Sequence, residues 1–278
     1  MNTENIDTNI LSVDKDPMGA AILDFQQNAK AGKLLVRSSM FEDDEMSIEY
    51  LFRNEKTMPI LEQEALKRAK GYVLDVGAGA GCHALALQER KLAVKAIDIS
   101  PLSCKAMIQR GVKDVECINI FSTKLEQEWC NQERQSAATY ITDHPLSNFR
   151  NKFDTILLLM NGTGIAGKLY RLPLLLTRLH SLLNEGGQIL IDSSDLRYIY
   201  EDEDGQLDIN PEAPYYGEVD YQMVYKNLQG KTITGTSFDW LYIDYSRLHS
   251  MAQTCGLNCE LVTEGKHYDY LARLWPEI

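Results

Sequence analysis

The sequence predicts an α/β protein built on a mostly parallel sheet, and three observations carry that expectation. From residue 72 onward, short apolar runs alternate with segments of helical periodicity, the order that lays helices on both faces of a parallel sheet. The stretch 73–87, Val-Leu-Asp-Val-Gly-Ala-Gly-Ala-Gly-Cys-His-Ala-Leu-Ala-Leu, reads as a buried strand, a glycine loop and a helix. The segment Phe153–Met160 ends in a continuous apolar run, as suits a strand covered on both faces.

Residues 1–16 are polar and expected to fray. Helical material follows at Met18–Ala29, Ile48–Arg53 and Pro59–Ala69, with Pro59 suited to a first turn and Gly71 to a helix end. The acidic run Glu42–Glu45 reads as a solvated loop. In the alternating part, Val73–Val76 is the first strand and Gly81–Arg90 its helix. Ala93–Ile97 is the second strand, and Ser100 and Pro101 open a helix that Gly111 ends. Val115–Ile118 is the third strand. Residues 122–151 are long and polar for a connection, with Lys124–Arg134 helical. Phe153–Met160 is the fourth strand. Lys168–Leu183 is a leucine-rich helix that Pro173 starts or kinks, and Asn184–Gly187 turns into the fifth strand, Gln188–Asp192. Residues 194–216 are acidic, tyrosine-rich loop. Val219, Tyr221, Met223 and Tyr225 alternate, answered by Phe238, Trp240 and Tyr242, a hairpin signal over 217–243. Asp244 caps a helix ending near Gly256, and Cys259–Val262 and Tyr268–Trp275 close the sheet.

Composition narrows the function classes. The 278 residues suit one large α/β domain with additions: an N-terminal extension over 1–70, then a domain over 71–278 that carries the 194–243 loop and hairpin as an insertion. A net charge of −12 disfavours nucleic acid as a partner, because phosphate binding needs a basic face. No secretory signal and no membrane-length apolar run is visible, so a cytoplasmic protein without membrane contact is expected. The six cysteines (Cys82, Cys104, Cys117, Cys130, Cys255, Cys259) are scattered; Cys255 and Cys259 lack a second pair or a histidine at zinc-like spacing, so no metal is expected.

The glycine loop is where such a protein holds a nucleotide-like cofactor. Glycine reaches the torsions of the turn and lets a ligand approach the backbone, and the helix start adds free N–H groups. Spacing tests which cofactor. In the dinucleotide pattern G-x-G-x-x-G/A, counting from Gly77 puts the third position at Cys82, which fails. Counting from Gly79 ends formally at Ala84, but the loop then begins too late after the strand. The pattern as it stands is Asp75-x-Gly77-x-Gly79-x-Gly81. Asp98 ends the second strand twenty-one residues after Gly77, where a carboxylate can accept both ribose hydroxyls of a nucleoside.

This pattern resembles the first motif of the class I S-adenosylmethionine-dependent methyltransferases, and four further segments follow in the family's order over roughly residues 70–195. Asp98 matches the acidic residue after the family's second strand. Asn119, in Cys117-Ile-Asn-Ile-Phe121, stands where the family often has an aspartate for the adenine amino group, and its amide oxygen can still accept that bond. Leu159-Met-Asn-Gly-Thr-Gly164 occupies the active-site position after strand four, without the family's N-P-P-[YF] tetrapeptide. Leu183–Asp192 looks like the family's entry into strand five. The resemblance implies a Rossmann-like three-layer sandwich with a seven-stranded, mostly parallel sheet and an antiparallel last strand, here with an N-terminal helical cap and a β-hairpin insertion.

It also implies methyl transfer from S-adenosylmethionine. Asp75, Gly77, Ala78, Gly79 and Gly81 would hold the methionine portion, with His83 and Asn161 beside it. Asp98 would hold the ribose, and Asn119 with Ile120 the adenine, with Ile99 also against the cofactor. No general base stands out; Asn161, Asp195, Tyr215 and Tyr216 are catalytic candidates by position, with the two tyrosines as a substrate wall and Tyr50 and Phe52 in a lid. The aromatic residues of the hairpin read as packing before they read as a substrate cage. A small-molecule acceptor is expected ahead of a protein, and RNA last. A non-catalytic S-adenosylmethionine-binding protein and an NAD-dependent oxidoreductase are the competing readings.

Overall fold

The computed structural model describes residues 8–125, 152–202, 204, 206 and 212–277. Its main sheet has seven strands: β3 (Tyr72–Val76), β4 (Ala93–Asp98), β5 (Asp114–Cys117), β6 (Phe153–Leu158), β7 (Leu183–Ser194), β11 (Leu257–Glu264) and β12 (Asp269–Pro276), in the order β11-β12-β7-β6-β3-β4-β5. Strands β3 to β7 run parallel, and β12 is inserted antiparallel between β7 and β11. This is the expected sandwich with its reversed last strand.

The apolar strands feed two cores by simple alternation. On one face Leu74, Ile156, Leu158, Ile189 and Ile191 meet the leucines of α5 (Leu172–Ser181) and α6 (Tyr245–Thr254). On the other, Val73, Leu157 and Leu190 meet α2 (Ile60–Arg68), α3 (Cys82–Glu89) and α4 (Pro101–Arg110). The helix boundaries follow the capping residues. The Ser100 hydroxyl accepts the Ser103 N–H at 2.9 Å, Pro101 opens α4, and Gly111 ends it at φ +95°. Pro173 starts α5 rather than kinking it, because the three residues before Leu172 form only a 3-10 turn. Residues Asn184–Gly187 stay within β7 as a register shift: Phe153 pairs Leu183, and the next matched pair is Thr155 with Gln188. The helix expected over Lys124–Arg134 lies, from residue 126, outside the described residues.

A second sheet was not foreseen. The N-terminal segment contains the helices α1 (Pro17–Asn28) and α2, but also β1 (Lys33–Arg37) and β2 (Asp44–Met46). These join β8 (Glu218–Lys226), β9 (Thr232–Thr234) and β10 (Phe238–Leu241) in the order β10-β8-β1-β2, with β9 also on β8. Leu34 faces Tyr225, and Val36 faces Met223. The acidic run thus holds an edge strand, where its charges discourage pairing with another chain. Residues 48–53 form only a 3-10 turn, Glu49–Phe52, since Asn54 starts a second turn by accepting the Lys56 N–H. Six residues are too few to repay helix nucleation.

Tyr225 ties this sheet to α1: its hydroxyl donates to Asp24 Oδ2 at 2.8 Å and accepts the Gly32 N–H at 2.9 Å. Among the described residues no helix is long and apolar enough to cross a membrane. Leu34 is fully buried between α1 and the second sheet. Leu34→Ala should therefore cost about 2–5 kcal/mol, read as a lower unfolding midpoint by calorimetry.

Candidate cofactor and acceptor site

A cavity of about 1250 Å³ lies between the carboxyl ends of β3, β4, β6 and β7 and the second sheet. Its floor is the glycine loop. The N–H groups of Gly77 and Ala78 both donate to Ile97 O, at 2.9 and 3.0 Å, and the Gly79 N–H donates to Asp98 Oδ2 at 2.8 Å. The three glycines divide into two kinds. All have positive φ (+68°, +56° and +80°). A Cβ on Gly77 would meet only Ile165 at 3.6 Å, and one on Gly79 only a carbonyl oxygen at 4.0 Å. One on Gly81 would strike Val112 at 2.9 Å and Met107 at 3.0 Å. Gly77 and Gly79, with Ala78, line the cavity; Gly81 instead lets α3 and α4 approach.

Asp98 closes the adjoining wall. Its Oδ1 accepts the Ser100 N–H at 2.8 Å, and burial pushes its carboxyl up to about 6 against those two N–H donors. Ile99 is exposed to the cavity, and its carbonyl takes the Leu11 N–H at 2.8 Å. Asn119 and Ile120 line the cavity too, but the Asn119 side chain is engaged: its oxygen accepts the Phe121 N–H at 3.1 Å and its amide donates to Asn9 O at 3.2 Å. Residues 8–16, expected to fray, are held here as a strap, with Asp16 fully buried against Ser100 at 2.5 Å.

Behind the loop, Asp75 is 1 % exposed, and its Oδ2 has no hydrogen-bond partner among the described residues. Burial raises its pKa despite the neighbouring His83 and the Ala84 N–H. His83 is buried, not solvent-facing. Its Nε2 lies 2.9 Å from Glu62 Oε2 and its Nδ1 4.0 Å from Asp75 Oδ1. Burial opposes its charge, but Cys82, Glu62 and Asp75 together hold its pKa well above 6.5. Glu62 moves the other way: burial raises it, and His83 with Arg53 outweigh that.

At the β6 end, Met160 and Asn161 are both left-handed, φ +68° and +58°. Asp192, at the matching end of β7, holds the turn by accepting the Met160 and Gly162 N–H groups, both at 3.1 Å. Burial pushes Asp192 up to about 7. Asn161 faces the cavity with its oxygen fixed by the Ser194 hydroxyl at 2.8 Å.

The fold over this loop has a well-matched relative. The chain aligns over 98% of its length, and 99% of the other chain, with an S-adenosylmethionine-dependent methyltransferase from Bacteroides fragilis solved in complex with S-adenosyl-L-homocysteine, at 48% identity and a TM-score of 0.81. The chain belongs to the S-adenosylmethionine-dependent methyltransferases. It is an enzyme of methyl transfer. Two more distant structures share the fold: the CcbJ methyltransferase of Streptomyces caelestis (12% identity, TM-score 0.52, 94% of this chain and 98% of that one) and a sugar N-methyltransferase of a Streptoalloteichus species (15%, 0.55, 84% and 94%). No protein-family model and no curated protein matches the chain.

In this methyltransferase the remaining candidates lie apart from the cavity. Asp195, Tyr215 and Tyr216 do not line it. Asp195 caps a 3-10 turn, pairs with Arg197 and accepts the Tyr216 hydroxyl at 2.8 Å. Tyr215 donates to Asp244 Oδ2 at 2.9 Å, so the pair fastens the insertion to the start of α6. The hairpin aromatics supply wall instead: Tyr221, Phe238, Trp240 and Tyr242 line the cavity, while Tyr225 is buried under α1. Sequence reasoning missed Asp192, Glu62 and Arg53. Only Asp192 had a local signal, since Leu190-Ile-Asp192 repeats the strand-ending pattern of Ala96-Ile-Asp98.

Two outcomes follow for the methyltransferase. Alanine at Gly77 or Gly81 adds left-handed strain of about 1–2 kcal/mol. Gly81→Ala adds the overlap with Val112 and Met107, so its unfolding midpoint should fall further. His83, raised above 6.5, stabilises the fold fully below that value and loses the contribution as pH rises through its folded value; Glu62, lowered below 4.5, loses its own only on acidification. Chemical denaturation of His83→Gln should show the largest loss on the acid side of neutrality, shrinking as pH is raised.

Proposed function

We propose that the protein binds S-adenosylmethionine over Gly77–Gly79 and transfers its methyl group to a small-molecule acceptor held beneath the second sheet. The open space above Gly77 and Gly79, bounded by the doubly anchored Asp98 carboxylate, carries the reading. The residues fit the cofactor. Asp98 keeps lone pairs for ribose hydroxyls, and the free Asp75 oxygen suits the ammonium of a methionine end. Ile99 and Ile120 offer apolar surface to a base. The bound cofactor supplies a methyl group on an electrophilic sulfonium.

The protein's own part is alignment and exclusion of water. Asn161, fixed by Ser194, lines the cavity together with the glycine loop and the aromatic wall of Phe41, Tyr221, Phe238, Trp240 and Tyr242. In this reading residues 1–70 and 194–243 act as one cap on the methyltransferase domain, 71–278. A chamber roofed by a sheet suits a small molecule better than a protein segment or RNA. On its lining Glu42, Asp44, Asp269 and the Lys168-paired Asp239 outnumber Lys15 and Arg171, a balance that disfavours acceptors carrying phosphate or carboxylate.

Calorimetry with S-adenosylhomocysteine and with NAD(H) tests the cofactor assignment. Asp98→Ala should weaken S-adenosylhomocysteine by about 1.5–3 kcal/mol, on the order of ten- to a hundredfold in Kd. Wild-type affinity in that variant, or tighter binding of NAD(H), would sink the assignment. Because ribose hydroxyls bond the ionised carboxylate, affinity should fall as pH drops through about 6, with proton release on binding near that pH. A methyl-transfer screen with labelled cofactor should return neutral or basic small molecules ahead of phosphorylated ones.

A further inference from the structure

Four buried charges run in a row behind the cofactor floor, and the reaction as described uses only the last. Arg53 follows the 3-10 turn that places Tyr50 and Leu51 on the cavity wall. Its guanidinium lies 4.2 Å from the Tyr50 ring centroid and donates to Tyr50 O at 2.8 Å. The same group grips Glu62 through three contacts of 3.0, 2.7 and 2.6 Å. Glu62 holds His83, and His83 faces Asp75, whose second oxygen is free among the described residues. All four are buried: Arg53 8 %, Glu62 3 %, His83 5 % and Asp75 1 % exposed.

Such a row is a poor device for stability alone, because a buried ion pair often gains nothing over packed apolar side chains of similar volume. What it does supply is direction. One end fixes the turn that carries cavity wall, and the other ends on an unsatisfied carboxylate oxygen beside the glycine loop.

We propose that Arg53 and Glu62 are positioning residues of the cofactor site: the pair locks the turn 49–52 and the His83 ring in one arrangement, so that Asp75 keeps its free oxygen for the ammonium of the cofactor's methionine end. Arg53 holds both Glu62 oxygens, and Oε2, shared between the guanidinium and His83 Nε2, orients the His83 ring. His83 in turn sets the charge environment of Asp75 without consuming its second oxygen. The titratable groups facing His83 are Glu62 from α2, Asp75 from β3, Cys82 beside it on α3, and Asp192 from β7 at longer range. This inference rests on the cofactor placement proposed above.

The test compares Arg53→Met/Glu62→Met, Glu62→Gln and Asp98→Ala with the wild type. The double replacement removes both charges together, and so avoids stranding one of them in the core. S-adenosylhomocysteine affinity is measured by calorimetry between pH 6.5 and 8.5, and the His83 imidazole is titrated by NMR in the ligand-free protein. In the folded double variant, affinity should fall about tenfold and be accompanied by a lower His83 midpoint. Glu62→Gln should lower that midpoint in the same direction and carries the same affinity test if the double variant does not fold cooperatively. A folded variant with wild-type affinity and an unmoved His83 titration would overturn the inference, even if its melting point dropped. Wild-type affinity in Asp98→Ala would overturn the cofactor placement itself; weakened Asp98→Ala beside a normal double variant would overturn only the role of the pair.

Discussion

The carboxylate of Asp98 joins the pieces of chain from which the site is built. One oxygen takes the N–H of Gly79 and the other that of Ser100, so a single side chain fixes the glycine loop to the start of α4. Ser100 passes the linkage on, capping α4 with the same hydroxyl that meets buried Asp16 at the start of α1. Gly19 makes room for that contact, since a Cβ there would lie 2.2 Å from the Ser100 hydroxyl. The floor, the first wall and the N-terminal strap are thereby held by one line of hydrogen bonds. The cost is visible in Asp98 itself, which burial pushes up to about 6.

The second constraint is long-range. β1 lies near the start of the chain and pairs with β8 some 190 residues later, Leu34 opposite Tyr225. This pairing turns an N-terminal extension and a late insertion into one sheet, and that sheet roofs the cavity. Tyr221 of β8 and Phe238 and Trp240 of β10 then face the cavity rather than core, with Trp240 lying over Gly164, a position no larger residue could share. The two parts of the cap are joined through the Tyr225 hydroxyl to Asp24 of α1, and the cap is fastened to the catalytic fold through the Tyr215 hydroxyl to Asp244 at the start of α6.

What was legible in the sequence was local. The glycine loop, the strand-ending Asp98, the Ser100–Pro101 helix start and the leucine-rich α5 each announce themselves within a few residues, because caps, turns and alternation are short-range physics. What was not legible depended on partners far away. Leu34-Leu-Val36 is too short to read as a strand without β8 beside it. Arg53, Glu62 and His83 come from three elements whose meeting has no sequence pattern. Asn119 keeps its expected place on the cavity, but its amide is engaged by Phe121 and by Asn9, in a segment that its polarity marked as frayed. The reaction class is legible where one loop carries it; the acceptor side, assembled from both sheets, is not.

The crystal structure of the complex with S-adenosylhomocysteine tests the central claim most directly. The account predicts ribose hydroxyls on the Asp98 carboxylate, the methionine end against Gly77–Gly79 with its ammonium on the free Asp75 oxygen, and the sulfur facing the aromatic chamber. A ribose placed away from Asp98, or an amino-acid end pointing out of the cavity with Asp75 still unsatisfied, would contradict it.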